Sequence, residues 1–177
     1  MIVSKWVLLI VFTFLITLLI FAKSWGHNKI FFPILSITVF LVKTYLGTYT
    51  ESYETGYSLP DHNIFIDYGC AGINYFIICI LTFSHSLYKY RYKEELPNIL
   101  VLTKHLGFIL IYSSSITIFA NAVRIICSIQ YKALKTIIPS LDFGWMHLAI
   151  GSFIYLLFLL IFFYIFLHFI FKRHEPI

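Results

Sequence analysis

The stretch Leu148–Ile170 reads LAIGSFIYLLFLLIFFYIFLHFI and contains no Asp, Glu, Lys or Arg. It is longer than the about 20 apolar residues that an α-helix needs to cross the hydrocarbon core of a bilayer. Four further apolar stretches precede it along the chain: Trp6–Ala22, Ile30–Leu46, Gly69–Leu87 and Leu106–Ile126. The sequence therefore predicts an all-α fold, a polytopic transmembrane bundle of about five helices.

The composition of the chain indicates the same class. Hydrophobic residues make up 60% of the 177 positions and charged residues only 12%, and the mean hydropathy is +0.87. A water-soluble domain of this size needs a more highly charged surface. No internal repeat or low-complexity tract interrupts the chain, so we interpret residues 1–177 as a single integral membrane domain.

Two boundaries need a separate interpretation. The segment Pro97–His105 is also rather apolar, so the start of the fourth helix stays open: a tilted or kinked beginning and a short interfacial piece both fit. Trp6–Ala22 follows Lys5 and resembles a signal peptide, but no Ala-x-Ala cleavage site ends it. We interpret it as a retained helix.

The basic residues predict the orientation, because short loops rich in Lys and Arg stay cytoplasmic. The first loop, the third loop and the C-terminal tail contain Lys23, Lys29, Lys89, Arg91, Lys93, Lys172 and Arg173. The alternate segments hold only Lys5, Lys132 and Lys135, and Thr48–Tyr68 has no Lys or Arg but four acidic residues. Lys43 counts mildly against this pattern. We expect the protein to lie in the cell membrane, with its N-terminus outside the cell and its C-terminus in the cytoplasm.

The formal net charge of +5 does not call for a nucleic-acid partner. Most basic residues lie in short tracts between apolar runs, where the orientation rule already accounts for them. Membrane lipid is the partner that the composition predicts.

Cys70 is a candidate nucleophile within Tyr68-Gly69-Cys70-Ala71-Gly72. If Asp67 caps the third helix, Cys70 lies in its first turn, where the helix dipole favours a thiolate. Small neighbours leave room for a substrate backbone, although the charge of Asp67 would oppose a thiolate. The alternative is a small apolar packing residue, which is the role expected for Cys79.

Asn121 and Arg124 are strongly polar residues within an apolar helix. An arginine at this depth costs about 2.5–3.5 kcal/mol on insertion scales, so it needs a polar cleft or a partner. Asn121 lies three positions earlier and so on the same face of the helix. The pair indicates a lined cleft; the alternative for Arg124 is snorkelling to the outer headgroups.

His147 opens the last apolar run. At the start of a helix the dipole disfavours protonation, and a neutral imidazole can act as a base. The alternative is an interfacial histidine beside Trp145. With the predicted orientation, Cys70, Arg124 and His147 lie in one layer near the outer face.

The three cysteines form no Cys-x-x-Cys pair and no Cys/His metal spacing. We therefore expect no disulfide framework, no metal site and no cofactor.

In chain order, Gly69-Cys70-Ala71-Gly72, then Asn121-Ala122-Val123-Arg124, then His147 resembles the exosortase/archaeosortase family of membrane transpeptidases. The resemblance covers roughly Asp67–Gly151. Members usually have around eight transmembrane helices, so this chain resembles the compact variants called exosortase K.

The resemblance implies that Cys70 is the nucleophile, Arg124 the essential cation, His147 the proton-transfer residue and Asn121 a supporting residue. It further implies a cysteine transpeptidase or protease that cleaves the C-terminal sorting signal of exported proteins through a thioester. Such substrates carry a short motif, a transmembrane helix and a basic tail.

Two other classes stay open. Cys70 and Cys127, both predicted near the outer face, could form the redox pair of a membrane thiol oxidoreductase. Alternatively, the protein could be a non-catalytic scaffold or transport subunit in which Arg124 and Asn121 bind lipid phosphate or a partner helix.

Overall fold

Four α-helices build most of the structure, a computed structural model that describes residues 17, 32–91, 99–138 and 145–172. We number them α1 (Phe32–Leu46), α2 (Ile73–Arg91), α3 (Ile99–Ile137) and α4 (Met146–Lys172). The predicted helix Trp6–Ala22 lies, apart from residue 17, outside the described residues.

Two of these helices are long and apolar enough to cross a membrane. They are the segments Leu100–Ile137 of α3 and Leu148–Phe169 of α4. Helix α1 is also apolar but shorter, with 15 residues. Within the described part of the chain, the protein is therefore mostly helical with two helices of spanning length.

Helix α3 is longer than the sequence predicts. It is already helical at Ile99, so Ile99 to His105 belong to the same helix, and it continues to Ile137 instead of ending near Ile126. A start near Pro97 would lie outside the described residues. With 39 residues it is about 58 Å long, nearly twice the about 30 Å of a hydrocarbon core. Polar residues after Cys127 end the apolar stretch but not the helix, because Gln, Lys, Ala and Leu all favour helical backbone.

The all-α prediction is wrong for the segment between α1 and α2, which holds a three-stranded sheet. The strands β1 (Glu51–Tyr53), β2 (Gly56–Leu59) and β3 (Ile64–Asp67) form an antiparallel sheet in the order β1-β2-β3. The register pairs Ser52 with Tyr57 and Ser58 with Phe65. Strands of three or four residues are too short to show a clear alternation of polar and apolar side chains.

The sheet is fastened to α1. Gly47, with φ +65, ends α1, and the N–H of Thr48 donates to the carbonyl of Lys43 at 3.2 Å. The Tyr57 hydroxyl hydrogen-bonds Ser36 Oγ at 2.8 Å, and the Tyr57 ring stacks on Phe32 with centroids 5.8 Å apart. The end of α3 also reaches the connection between β2 and β3, since Lys132 Nζ donates to the carbonyl of Asn63 at 3.1 Å.

Two hydrophobic clusters meet on α3. One joins α2, the first part of α3 and α4, and includes Phe83, Ile116, Ala120 and Phe166. The other joins α1, the sheet and the later part of α3, and its members include Leu35, Val39, Leu59, Ile66, Ala122 and Ile125. Asn121 lies between Ala120 and Ala122, so the polar residues around it lie where the two clusters adjoin.

Candidate active site

Cys70 lies in a 3₁₀-helix, Tyr68–Ala71, that connects β3 to α2. Asp67 caps this short helix, and the backbone N–H of Cys70 donates to Asp67 Oδ1 at 3.1 Å. Helix α2 begins only at Ile73. The predicted cap is therefore present, but Cys70 precedes α2 and does not lie in the first turn of a long α-helix.

The surroundings of the Cys70 thiol favour its protonated form. Burial is the largest effect raising the pKa of this half-buried thiol, and the negative charge of Asp67 raises it further. The positive charge of Arg124 acts in the opposite direction but is the smaller effect. The expectation that this position favours a thiolate is therefore wrong, since these surroundings raise the pKa of the Cys70 thiol.

Asn121 is fully buried and uses both ends of its amide. Its Nδ2 donates to the backbone carbonyl of Cys70. Its Oδ1 accepts a hydrogen bond of 2.8 Å from the hydroxyl of Tyr155 in α4. A single side chain thus ties the Cys70 segment to two long helices.

Arg124 is half-buried, and its guanidinium faces α4. Nη1 donates to the Tyr155 hydroxyl at 3.1 Å, and Cζ lies 5.5 Å from the centroid of the Tyr155 ring. Among the described residues, these contacts involve neutral groups only. The sequence prediction that Asn121 and Arg124 share a face is confirmed, since both contact Tyr155.

Two glycines allow the close packing of this site. Gly72 has φ +72, and a Cβ there would lie 3.2 Å from Thr117 Cγ2 and 3.4 Å from the Tyr155 hydroxyl. A Cβ on Gly151 would lie 3.0 Å from Arg124 Nε. The side chains of α3 and α4 therefore use the space that these two positions leave empty.

Tyr155 is the residue that sequence reasoning does not find. The chain has 13 tyrosines, and nothing local distinguishes Tyr155, which contacts the site, from Tyr164, which is 73% exposed on the same helix. The one signal in the sequence is its spacing: Tyr155 follows Gly151 by one helical turn and His147 by two. The three Cα positions lie on one face of α4.

His147 belongs to the first turn of α4, which begins at Met146. Its side chain lies outside the described part of the structure. The backbone thus puts position 147 on the site-facing side of the helix, and the predicted role of His147 stays a prediction.

All three cysteines are free thiols. Cys70 and Cys127 are half-buried, whereas Cys79 is fully buried in the cluster between α2, α3 and α4. No group of three or more His, Cys, Asp or Glu side chains that could hold a metal occurs in the described ranges.

No family model, no curated protein and no solved structure matches this chain. The fold and the site define a helical protein with two helices of membrane-spanning length and a buried polar network where three chain segments meet. That network is the feature of the molecule from which a function can be inferred.

Proposed function

We propose that the protein is a multi-pass membrane cysteine peptidase or transpeptidase of the exosortase/archaeosortase type, with Cys70 as its nucleophile. The observation that carries the proposal is the hydrogen-bonded chain from the Cys70 carbonyl through Asn121 and Tyr155 to Arg124. Removing an arginine from water is costly, so helix packing alone does not explain why Arg124 lies at this place.

The membrane setting is supported by the outer faces of α3 and α4. Large apolar side chains are turned outward there, among them Ile111 at 71%, Leu148 at 70% and Phe153 at 64% exposure. Lipid is the solvent that suits such faces. The proposed bundle has about five helices, with Trp6–Ala22, α1 and α2 added to α3 and α4.

The length of α3 is compatible with a site near the outer surface. The last charged residues of the helix, Lys132 and Lys135, lie about two to three turns beyond Arg124, and Lys132 contacts the connection between β2 and β3. In the proposed orientation, the sheet and the end of α3 project on the outer side of the cell membrane. Cys70 and Arg124 then lie just below the surface.

The reaction begins with removal of the Cys70 proton, which burial and Asp67 otherwise retain. His147 accepts this proton as the sulfur attacks a peptide carbonyl carbon. Arg124 stabilises the negative charge that develops on the carbonyl oxygen. When the C–N bond breaks, the departing amine takes the proton from His147, and the acyl group stays on Cys70 as a thioester.

A second nucleophile then releases the acyl group from Cys70. An amine gives transpeptidation and water gives hydrolysis, and either one restores the free thiol. The proposed substrates are exported proteins with a C-terminal motif, a transmembrane helix and a basic tail.

The test is co-expression with exported proteins from the same genome that end in such a tail, followed by electrophoresis to detect cleavage. Cys70→Ser should abolish cleavage, because a serine hydroxyl is far harder to ionise than a thiol. Cys127→Ser, at another half-buried cysteine, is the matched control and should retain it.

Two outcomes would contradict the proposal. Undiminished cleavage by Cys70→Ala would eliminate the cysteine mechanism and favour a non-catalytic role for Arg124 and Asn121. Loss of function in both Cys70→Ser and Cys127→Ser would favour the redox pair.

A further inference from the structure

We propose that Tyr155 is a positioning residue of this site, whose hydroxyl holds the Arg124 guanidinium and the Asn121 amide in place beside Cys70. The inference rests on the proposed function in taking Cys70 as the reactive group. It adds a residue of α4 that neither the sequence motifs nor the resemblance assigns.

The Tyr155 hydroxyl both donates and accepts within the site. A phenol has one proton to donate and lone pairs to accept with. Its proton goes to Asn121 Oδ1 at 2.8 Å, and its oxygen accepts from Arg124 Nη1 at 3.1 Å. The bonds all run in one direction, from the guanidinium through the phenol and amide to the Cys70 carbonyl, and bonds in such a chain polarise one another.

The ring of Tyr155 is fixed as well. It stacks on Tyr75 of α2, with centroids 4.4 Å apart and an interplanar angle of 13°. Tyr75 is only 4% exposed, so its own ring has little freedom. The hydroxyl is therefore held at a defined position between α2, α3 and α4.

Arg124 has another position open to it. The arginine side chain is long, and near a membrane surface it can extend its charged end to the headgroups. The stem of Arg124 packs against α4 where Gly151 has no side chain, since a Cβ there would lie 3.0 Å from Nε. The hydrogen bond to the Tyr155 hydroxyl opposes extension of the guanidinium to the headgroups.

Arg124 acts on Cys70 through its charge. That charge lowers the pKa of the Cys70 thiol, against the larger effects of burial and Asp67. If Arg124 moves away, the thiol pKa rises further and less thiolate forms at a given pH. At a pH below the pKa, each increase of the pKa by about 1 lowers the thiolate population about tenfold.

The experiment uses protein in which Cys70 is the remaining cysteine, made by Cys79→Ala and Cys127→Ser. Alkylation of Cys70 by N-ethylmaleimide, an uncharged reagent, is followed in membranes over a series of pH values. The assay reports on the thiol and needs no substrate. Retained folding is checked for each variant by its thermal unfolding in detergent.

We expect Tyr155→Phe to slow alkylation by about threefold or more at neutral pH and to move its pH midpoint upward. The substitution keeps the ring and its stacking on Tyr75. Tyr164→Phe removes an exposed hydroxyl from the same helix and should change nothing. Arg124→Gln should slow alkylation at least as much as Tyr155→Phe.

The double variant separates positioning from a merely structural role. If Tyr155 acts through Arg124, Tyr155→Phe should have no further effect once Arg124→Gln is present. Additive effects would show that Tyr155 acts on Cys70 without Arg124 and would overturn its positioning of the guanidinium.

A second variant tests the position of Arg124 by steric contact instead of by loss of a hydrogen bond. Gly151→Ala brings a methyl group to 3.0 Å from Arg124 Nε and should displace the guanidinium while the Tyr155 hydroxyl is retained. It should therefore slow alkylation too. Gly107→Ala, where a Cβ meets nothing within 4 Å, is its control.

The failures are distinguishable. Unchanged alkylation in Tyr155→Phe, with slowing in Arg124→Gln, would overturn the role of Tyr155 and leave the proposed function standing. If Tyr155→Phe slows alkylation as expected but Cys70→Ala still cleaves fully, the proposed function is overturned and the positioning role of Tyr155 stands.

Discussion

The side-chain amide of Asn121, in the middle of α3, donates a hydrogen bond to the backbone carbonyl of Cys70, which precedes it by 51 residues. Asn121 is fully buried, so this bond forms away from solvent. It joins the short 3₁₀-helix after the sheet to the longest helix of the protein. The placement of the Cys70 segment against α3 therefore depends on a single buried side chain.

Replacing Asn121 with alanine should destabilise the protein. The change leaves the Cys70 carbonyl and the Tyr155 hydroxyl without their partner, and a buried unsatisfied polar group costs about 1–3 kcal/mol. The apparent melting temperature in detergent measures the loss. Ser115→Ala is the control, because Ser115 is exposed on the same helix and its hydroxyl donates to the Ile111 carbonyl within that helix. Equal melting temperatures for the two variants would contradict a structural role for the Asn121 bond.

Arg124→Lys should insert normally but lose most cleavage activity. Lysine retains the charge, but it lacks the planar fork that can hold Tyr155 and a substrate oxygen at once. A loss on the order of a hundredfold is expected if an oxyanion donor is removed, and the loss from Asn121→Ala should be smaller. Lys132→Arg, outside the site on the same helix, should retain activity. Full activity of Arg124→Lys would instead favour an arginine that only snorkels.

Gly72→Ala should be more damaging than Gly47→Ala. Both glycines have positive φ, +72 and +65, so both substitutions carry the cost of a left-handed backbone, about 1–2 kcal/mol. At Gly47 a Cβ meets nothing within 4 Å, whereas at Gly72 it crowds Thr117, Asn121 and Tyr155. Melting temperatures and Cys70 alkylation measure the two effects. If Gly72→Ala and Gly47→Ala have the same melting temperature and the same alkylation rate, the close contact of Gly72 with its neighbours on α3 and α4 has no role.

A membrane-impermeant maleimide applied to intact cells should label Cys70 in preference to Cys79. Cys79 is fully buried, and the proposed orientation puts Cys70 outside. Because burial and Asp67 raise the pKa of Cys70, labelling should continue to increase above pH about 8.5, where an ordinary thiol is half ionised. Labelling only after permeabilisation would contradict the orientation, and a midpoint below the ordinary value would contradict the raised pKa.

Much of the helical framework could be predicted from the sequence. The apolar run Leu148–Ile170 corresponds closely to α4, and the polar residues Asn121 and Arg124 mark one face of α3. These predictions succeed because hydropathy and helical periodicity are local properties. The extension of α3 to Ile137 is not visible in the hydropathy, because a helix can continue after its apolar stretch has ended.

The candidate site could be predicted only in part. Cys70, Asn121 and Arg124 stand out as polar residues in apolar surroundings, and the structure brings them together. Tyr155 does not stand out, and the short strands of the sheet carry no pattern strong enough to detect. A helix dipole predicts a thiolate at Cys70, but in the folded protein Cys70 precedes α2, and burial and Asp67 raise the pKa of its thiol.

By itself, the sequence determined that this chain is an apolar helical protein suited to a membrane, because the transfer of side chains from water to lipid depends on their chemistry and order along the chain. Only the tertiary structure decided which tyrosine meets Arg124, where the two glycines admit neighbouring side chains, and that the amide of Asn121 reaches Cys70. The contact of Tyr155 with Arg124 joins residues 31 positions apart, and that of Asn121 with Cys70 joins residues 51 positions apart. They depend on how helices pack against one another, which no local pattern of residues specifies.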